Sequence, residues 1–331
     1  MVGATGLVGE AMITVLEERG FPVSQLHALA SNRSLGRSVS FRGRRYPVQE
    51  LANFDFASCD FALFSAGAQV SREYVPRAVA AGCLVIDNTS EFRYRENVPL
   101  VVPEVNLHAL AGLGEAGIVA NPNCCTIQMV MVLKPLYDVA GIERIDVATY
   151  QSVSGAGRAA LEELARQSIA ALSGKGVVAP RAEQIAFNCV PHIDRFEDNG
   201  YTREEMKLVW ETRKILGDAA LRVNATAVRV PVFYGHSEAV HLQTRRPLSA
   251  AQARDLLRKA PGVTVLDERR AGGYPMAATE GAKQDTVYVG RIREYLAPDR
   301  GLNLWIVADN VRKGAATNSV QIAEALAQRP I

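Results

Sequence analysis

Seven residues near the start of the chain, Gly3-Ala4-Thr5-Gly6-Leu7-Val8-Gly9, restrict its folding more than any other segment. Glycines at this spacing permit a tight turn and close backbone approach, and the apolar-periodic run from Leu7 to Glu18 reads as a helix opened by that turn. Amides at such a helix N-terminus suit a pyrophosphate, so Gly3, Thr5, Gly6, Leu7 and Val8 are expected nucleotide contacts. A lone glycine loop is weak support, and the following sequence supplies the context. Strand-like runs at Leu26 to Ala30, Phe61 to Phe64, Leu84 to Ile86 and Ile118 to Ala120 alternate with helix-period segments such as Ser71 to Ala81. This alternation predicts an α/β fold, a Rossmann-like doubly wound parallel sheet with crossover helices.

A strand should precede the loop, yet only Met1 and Val2 do. A sheet lacking its innermost strand would leave the amides and carbonyls of two neighbours unpaired, at a cost beyond ordinary stability margins. The expectation is that the first strand is truncated by the assigned start, and that an apolar strand of about five residues is encoded upstream in frame. The second strand ends Ala28-Leu29-Ala30-Ser31-Asn32-Arg33-Ser34, without the Asp or Glu that binds an NAD ribose. Arg33 and Ser34, with Arg37 close behind, suit a 2′-phosphate, which favours NADP. Arg42, Arg44 and Arg45 read as a solvated basic hairpin.

From Ile145 the pattern changes to period-2 strands (Ile145, Val147, Thr149; Val228, Val230, Val232; Val240, Leu242; Leu302 to Val307), with helices such as Leu161 to Leu172. This predicts a second, α+β mixed-sheet domain. The amphipathic helix Asn318 to Gln328 is expected to return to the first domain, giving 1–127 with 312–331 as the nucleotide domain and 128–311 as the substrate and dimerisation domain. The net charge of +2, from 37 basic and 35 acidic residues, gives no field that would favour nucleic acid or an anionic membrane. A small molecule is the expected partner. Cys59, Cys83, Cys124, Cys125 and Cys189 form neither a disulfide framework nor a zinc motif, so no metal is expected. The N-terminus has no basic leader and no 18-residue apolar run occurs, which reads as a cytoplasmic chain.

Ala120-Asn121-Pro122-Asn123-Cys124-Cys125-Thr126 ends a strand and precedes the apolar run Ile127 to Leu133, a buried helix. Cys124 therefore stands at a helix N-terminus, where free amides and the helix dipole stabilise a thiolate. Isolated cysteines usually serve packing, so the wider pattern decides.

That pattern resembles the aspartate-semialdehyde dehydrogenase family, bacterial enzymes of lysine, methionine, threonine and diaminopimelate biosynthesis. Besides the glycine loop, the likeness rests on Asn88-Thr89-Ser90-Glu91-Phe92-Arg93, Val101-Val102-Pro103-Glu104-Val105-Asn106, Asn121 to Cys124 and Tyr150 to Gly157. It continues through Ala186-Phe187-Asn188, Pro191-His192-Ile193-Asp194, Glu204-Glu205-Met206-Lys207, Arg229 to Glu238, and Asp309-Asn310, covering nearly the whole chain. The resemblance implies Cys124 as nucleophile, His236 as acid/base and Gln151 as the residue orienting the substrate. It further implies Arg229 on the substrate carboxylate, Glu204 on its amino group, and Arg93, Asn123 and Lys207 on inorganic phosphate. Ser65, Gly67, Ser154, Gly155 and Asn310 join the implied cofactor contacts, and a homodimer or homotetramer is implied. The family often carries Ser or Thr after the nucleophile, where this chain has Cys125.

Arg229 offers a bidentate fork for a carboxylate, and Glu204 and Lys207 at i,i+3 share a helix face. One spacing is awkward. Arg229 and His236 are seven residues apart and in an extended strand would diverge over roughly 23 Å, at about 3.3 Å per residue. Pro231 and Gly235 are therefore expected to break the strand and bring both side chains into one pocket.

Other readings are an N-acetyl-glutamyl-phosphate reductase, a glyceraldehyde-phosphate-type dehydrogenase and an inactive paralogue. An acylated substrate needs no amine-binding carboxylate, which Glu204 would supply. The Ala186-Phe187-Asn188 and Gly235-His236-Ser237-Glu238 blocks argue against the glyceraldehyde-phosphate type. An inactive relative should have lost the thiol or the histidine, and both are present.

Overall fold

The computed structural model describes residues 1–114, 117–174, 176, 183–296 and 300–328. The chain divides into two compact units, Met1–Asn123 with Ala315–Ile331, and Cys124–Gly314.

In the first unit the strands are β1 (Ala28–Ala30), β2 (Ser38–Phe41), β3 (Arg44–Glu50), β4 (Phe61–Phe64), β5 (Leu84–Asp87) and β6 (Ile118–Ala120). The helices are α1 (Leu7–Glu18), α2 (Ala68–Ala80) and the short α3 (Pro103–Asn106). β4, β5 and β6 pair in parallel, as do β1 and β3, while β2 and β3 form the antiparallel hairpin that exposes Arg42, Arg44 and Arg45. Val2 joins the two sets, pairing in parallel with Leu29 on one side and Phe64 on the other. Its amide donates to Leu63 O at 2.8 Å, and Leu29 N donates to Met1 O at 2.8 Å. Met1 and Val2 thus satisfy both neighbours at the loop end of the sheet, where an inner strand was expected.

Met12, Val15 and Leu16 recur at helical spacing on α1 and pack with Val320, Ile322 and Ala323 of the C-terminal helix (Asn318–Ala327) against Leu63, Ile86 and Val119 of the sheet. Each large apolar side chain buried this way contributes roughly 2 kcal/mol. The C-terminal helix belongs to this unit, and Arg19, which caps the end of α1, pairs with its Glu324 at 2.7 Å. α2 begins three residues before the expected Ser71, because Gly67, at φ 94°, turns the chain into it and Ser71 faces inward to donate to Asp87 Oδ1 at 2.8 Å.

The second unit is built on one mixed six-stranded sheet of β7 (Ile142–Gln151), β8 (Arg222–Arg229), β9 (His236–Thr244), β10 (Val263–Val265), β11 (Val287–Glu294) and β12 (Gly301–Ala308), in the order β10-β11-β12-β9-β7-β8. Helix α4 (Cys124–Ala140) lies against the sheet with Ile127, Met129, Val130, Val132 and Leu133 fully buried, followed by α5 (Arg158–Leu172), α6 (Arg203–Leu216) and α7 (Ala250–Arg258). The expected strand through Val230 and Val232 stops at Arg229. Residues 230–235 turn before β9 opens at His236, and Gly235 has φ 86° with no room for a side chain: a Cβ there would sit 2.6 Å from Ala277 O. Among the described residues no helix is long and apolar enough to cross a membrane.

Candidate active site

β7 pairs with β8 in parallel, Gln151 opposite Arg229, and with β9 antiparallel, Tyr150 opposite Ser237. The break between β8 and β9 therefore sets Arg229 and His236 on either side of the end of β7, as the spacing argument expected. A Cβ built on Gly155 would meet Arg229 Nη1 at 3.3 Å and His236 Nε2 at 3.4 Å, so both side chains border one point. Ser152 holds them there. Its amide donates to His236 Nδ1 at 3.0 Å and its carbonyl accepts from Arg229 Nη1 at 2.6 Å. Because Nδ1 accepts, the neutral imidazole carries its proton on Nε2.

α4 begins at Cys124, which puts the thiol at a helix N-terminus as the sequence pattern predicted. The Cys124 and Cys125 sulfurs and a ring nitrogen of His236 all lie within 4.8 Å of one another. A hydrogen bond from Cys125 holds the Cys124 thiol well below the ordinary thiol range, against the opposing effect of burial, and the neighbouring His236 adds to the lowering. Burial, followed by the hydrogen bond with Cys124, pushes the Cys125 thiol up. Glu238, two residues beyond His236 on the same fully buried face of β9, is pushed well up by burial, with the nearby Gln128 and Cys125 opposing the rise without reversing it.

Gln151 donates from Nε2 to Glu204 Oε1 at 3.1 Å and accepts from Thr149 at 2.9 Å, which fixes its amide. Glu204 is buried on the first turn of α6, behind a Thr202–Glu205 capping box, and accepts from Lys207 at 2.8 Å. Lys207 also donates to Asp194 at 2.9 Å. Burial opposes the charge on Lys207, but the two carboxylates outweigh it and raise its pKa. Burial lowers that of the Arg229 guanidinium. Ser154 and Asn310, expected as cofactor contacts, are hydrogen-bonded to Ser152, which holds the histidine. Asn310 Oδ1 accepts from Ser152 Oγ at 3.1 Å, Ser154 Oγ at 3.0 Å and the Gly235 amide at 3.1 Å. Ser152, Glu238 and Gly314 carry no role that the sequence pattern marks. Gly314 was marked only by the small residues around it, and a Cβ there would lie 2.9 Å from Cys124 Cβ.

In the first unit a cleft of about 590 Å³ is lined by Gly3, Thr5, Gly6, Ser31, Asn32, Ser34, Glu50 and Ser65, among others. Gly3, at φ 83°, lies so close to Ser65 that a Cβ would come within 2.5 Å of its carbonyl oxygen. Thr5 and Ser34 hydroxyls meet at 3.1 Å. Glycines in tight contact, a helix N-terminus and a hydroxyl-lined rim fit a dinucleotide. Leu7 and Val8 open α1 just beyond the loop, Arg33 stands exposed on the turn between Asn32 and Ser34, and Gly67 caps α2. Arg93 and Asn123 also belong to this unit, both largely buried, with Arg93 donating to Asn88 O at 2.9 Å.

A family model described as semialdehyde dehydrogenase, NAD binding domain, matches residues 1–113, and one described as semialdehyde dehydrogenase, dimerisation domain, matches residues 133–313. The aspartate-semialdehyde dehydrogenase of Legionella pneumophila is 60% identical over 327 residues, covering 98% of this chain and 94% of that protein. Among solved structures, aspartate semialdehyde dehydrogenase II from Vibrio cholerae, complexed with ASA, superposes with a TM-score of 0.97 at 52% identity, over 100% of this chain and 98% of that one. The Candida albicans aspartate semialdehyde dehydrogenase with NADP gives a TM-score of 0.75 at 28% identity, over 98% of this chain and 97% of that one.

Proposed function

The chain belongs to the semialdehyde dehydrogenase family, and on that premise we propose that it interconverts L-aspartate 4-semialdehyde and 4-phospho-L-aspartate with NADP and inorganic phosphate, for lysine, methionine, threonine and diaminopimelate biosynthesis. The observation that carries this reading is the meeting of a lowered cysteine thiol with His236 at the sheet end that also bears Arg229 and Gln151, the latter bonded to Glu204 of α6.

In the oxidative direction Cys124 thiolate attacks the aldehyde carbon, and the Nε2 proton of His236 is placed to hold the oxygen that becomes charged. Arg229 takes the substrate carboxylate, Glu204 its ammonium, and Gln151, locked by Thr149 and Glu204, sets its orientation. NADP, when bound, accepts the hydride. Collapse of the thiohemiacetal leaves a Cys124 thioester, which phosphate attacks to give the acyl phosphate and restore the thiolate. Lys207 is assigned to the phosphate. Arg93 and Asn123 are given the same role on their sequence motifs. Each step falls to side chains without a metal, in a cytoplasmic homodimer or homotetramer.

The acylated-substrate alternative leaves the Glu204–Lys207 pair without a purpose. An inactive paralogue does not account for a thiol whose pKa is lowered beside His236. Two substrates test the reading: phosphate-dependent NADP reduction should be found with aspartate 4-semialdehyde and be at least ~100-fold weaker in kcat/KM with the N-acetylated glutamate semialdehyde. The reverse order would reject it. NADP preference rests on Arg33 beside the Ser34 hydroxyl and on the absence of a carboxylate at the end of β1, since Glu50 lines the cleft from β3. Arg33→Ala should lower the NADP-to-NAD ratio of kcat/KM about tenfold or more, as loss of a charge-assisted phosphate contact would. An unchanged ratio would remove Arg33 from that role.

A further inference from the structure

Cys125 forms no bond to substrate in the proposed reaction, and it is fully buried next to the nucleophile. Its sulfur, that of Cys124 and a nitrogen of His236 lie within 4.8 Å of one another. Two readings of such a cluster compete, a three-ligand site for a tetrahedral cation such as zinc and a two-sulfur site. Zinc is held in proteins by three or four ligands, and a histidine binds it through an unprotonated ring nitrogen. The Ser152 amide points at Nδ1 from 3.0 Å, so the ring proton belongs on Nε2, and that nitrogen has no lone pair for a metal. Moving the proton to Nδ1 would set two N–H groups against each other. The two sulfurs remain, and soft thiolates select soft, thiophilic partners.

We infer that Cys124 and Cys125 together form a chelating dithiol site for three-coordinate trivalent arsenic, such as arsenite or an organoarsenic oxide. Arsenic(III) is pyramidal and takes two protein sulfurs with one ligand of its own, so it makes no demand on His236. With phenylarsine oxide the balance is simple: two As–S bonds form, the As=O bond is lost, and both thiol protons leave in one water. No oxidant is involved and arsenic stays trivalent. Attack starts at Cys124, which is partly accessible and the better nucleophile, and rotation about the Cys125 side chain closes the second bond. The ring closed by arsenic is one atom larger than that of a disulfide between the same neighbours. The bridge therefore asks less distortion of the first peptide of α4.

The test is titration of the purified chain with phenylarsine oxide, read by intact mass, by counting titratable thiols and by mapping the modified peptide. One phenylarsenic should add per chain with loss of two thiols, both in the peptide holding Cys124 and Cys125. A 1,2-dithiol should reverse it and an equal thiol dose of monothiol should not. Cys125→Ser, which keeps a hydrogen-bonding group of similar size, should bind at least ~100-fold more weakly, with its circular dichroism checked against the parent chain. Equal binding by that variant, or an adduct mapping to Cys59, Cys83 or Cys189, would overturn the inference. So would tight zinc binding that protects both thiols, because it would make His236 a ligand. Binding is read directly, so loss of this result and loss of the proposed reaction are separate outcomes.

Discussion

Position favours the thiolate at Cys124: a hydrogen bond from Cys125, a neighbouring imidazole and the amides of a helix start all act in that direction. Alkylation by iodoacetamide should therefore persist at pH values well below about 8.5, where an ordinary cysteine becomes unreactive. A rate at Cys124 that fell off like that of a free thiol would contradict this. Gly314 has no room for a methyl group beside Cys124, so Gly314→Ala should displace the nucleophile and cut kcat at least ~10-fold, as small misplacements of reacting groups do. Wild-type kcat in that variant would show the contact to be slack. Cys124 was legible because Asn-Pro-Asn, a strand end and a long apolar run surround it in sequence. Gly314 was not, because its constraint is an approach between residues 190 positions apart, which no local pattern encodes. Ser152 was hidden for another reason. Its amide reaches His236 and its carbonyl Arg229, and such backbone groups are carried by every residue type.

Elements place the other groups, and here sequence reasoning worked where punctuation is strong. The break between β8 and β9 was readable from Pro231 and Gly235, whereas the alternation of Val228, Val230 and Val232 pointed to a strand three residues too long. Alternation cannot register that Gly235 must pass within van der Waals contact of Ala277. Gly235→Ala forces a left-handed φ and a backbone clash, costing on the order of 1–3 kcal/mol. It should lower turnover through His236 while leaving Cys124 alkylation near normal, and equal loss of both would mean that the whole sheet end had moved. Glu238 belongs to β9 as well. Burial raises its pKa, so the folded state keeps a proton that the unfolded chain releases above about 4.3. Wild-type stability should then decline as pH rises from there toward the folded-state pKa. Glu238→Gln should flatten that decline, so thermal scans at pH 5 and pH 8 should show a gap in favour of the variant that widens at the higher pH. A gap independent of pH would mean that Glu238 is not held protonated.

At the scale of the molecule, one unit carries the glycine loop and hydroxyl-lined cleft, and the other the thiol, the histidine and the charges proposed to bind substrate. The class of both sheets was readable from periodicity, parallel alternation in the first and longer period-2 strands in the second. The strand order β10-β11-β12-β9-β7-β8 was not, since pairing between distant segments leaves no trace in either segment alone. Val2 shows the same limit, because its bridges run to Leu29 and Phe64, far from it in sequence. The proposed reaction requires a thioester at Cys124 that phosphate releases. Rapid mixing of the enzyme with NADP and aspartate 4-semialdehyde, phosphate omitted, should give a burst of about one NADPH per active thiol. Mass analysis of the quenched protein should then find the acyl group on the Cys124 peptide, discharged on adding phosphate. Steady NADPH formation without phosphate and without an adduct, or an adduct on another residue, would contradict it.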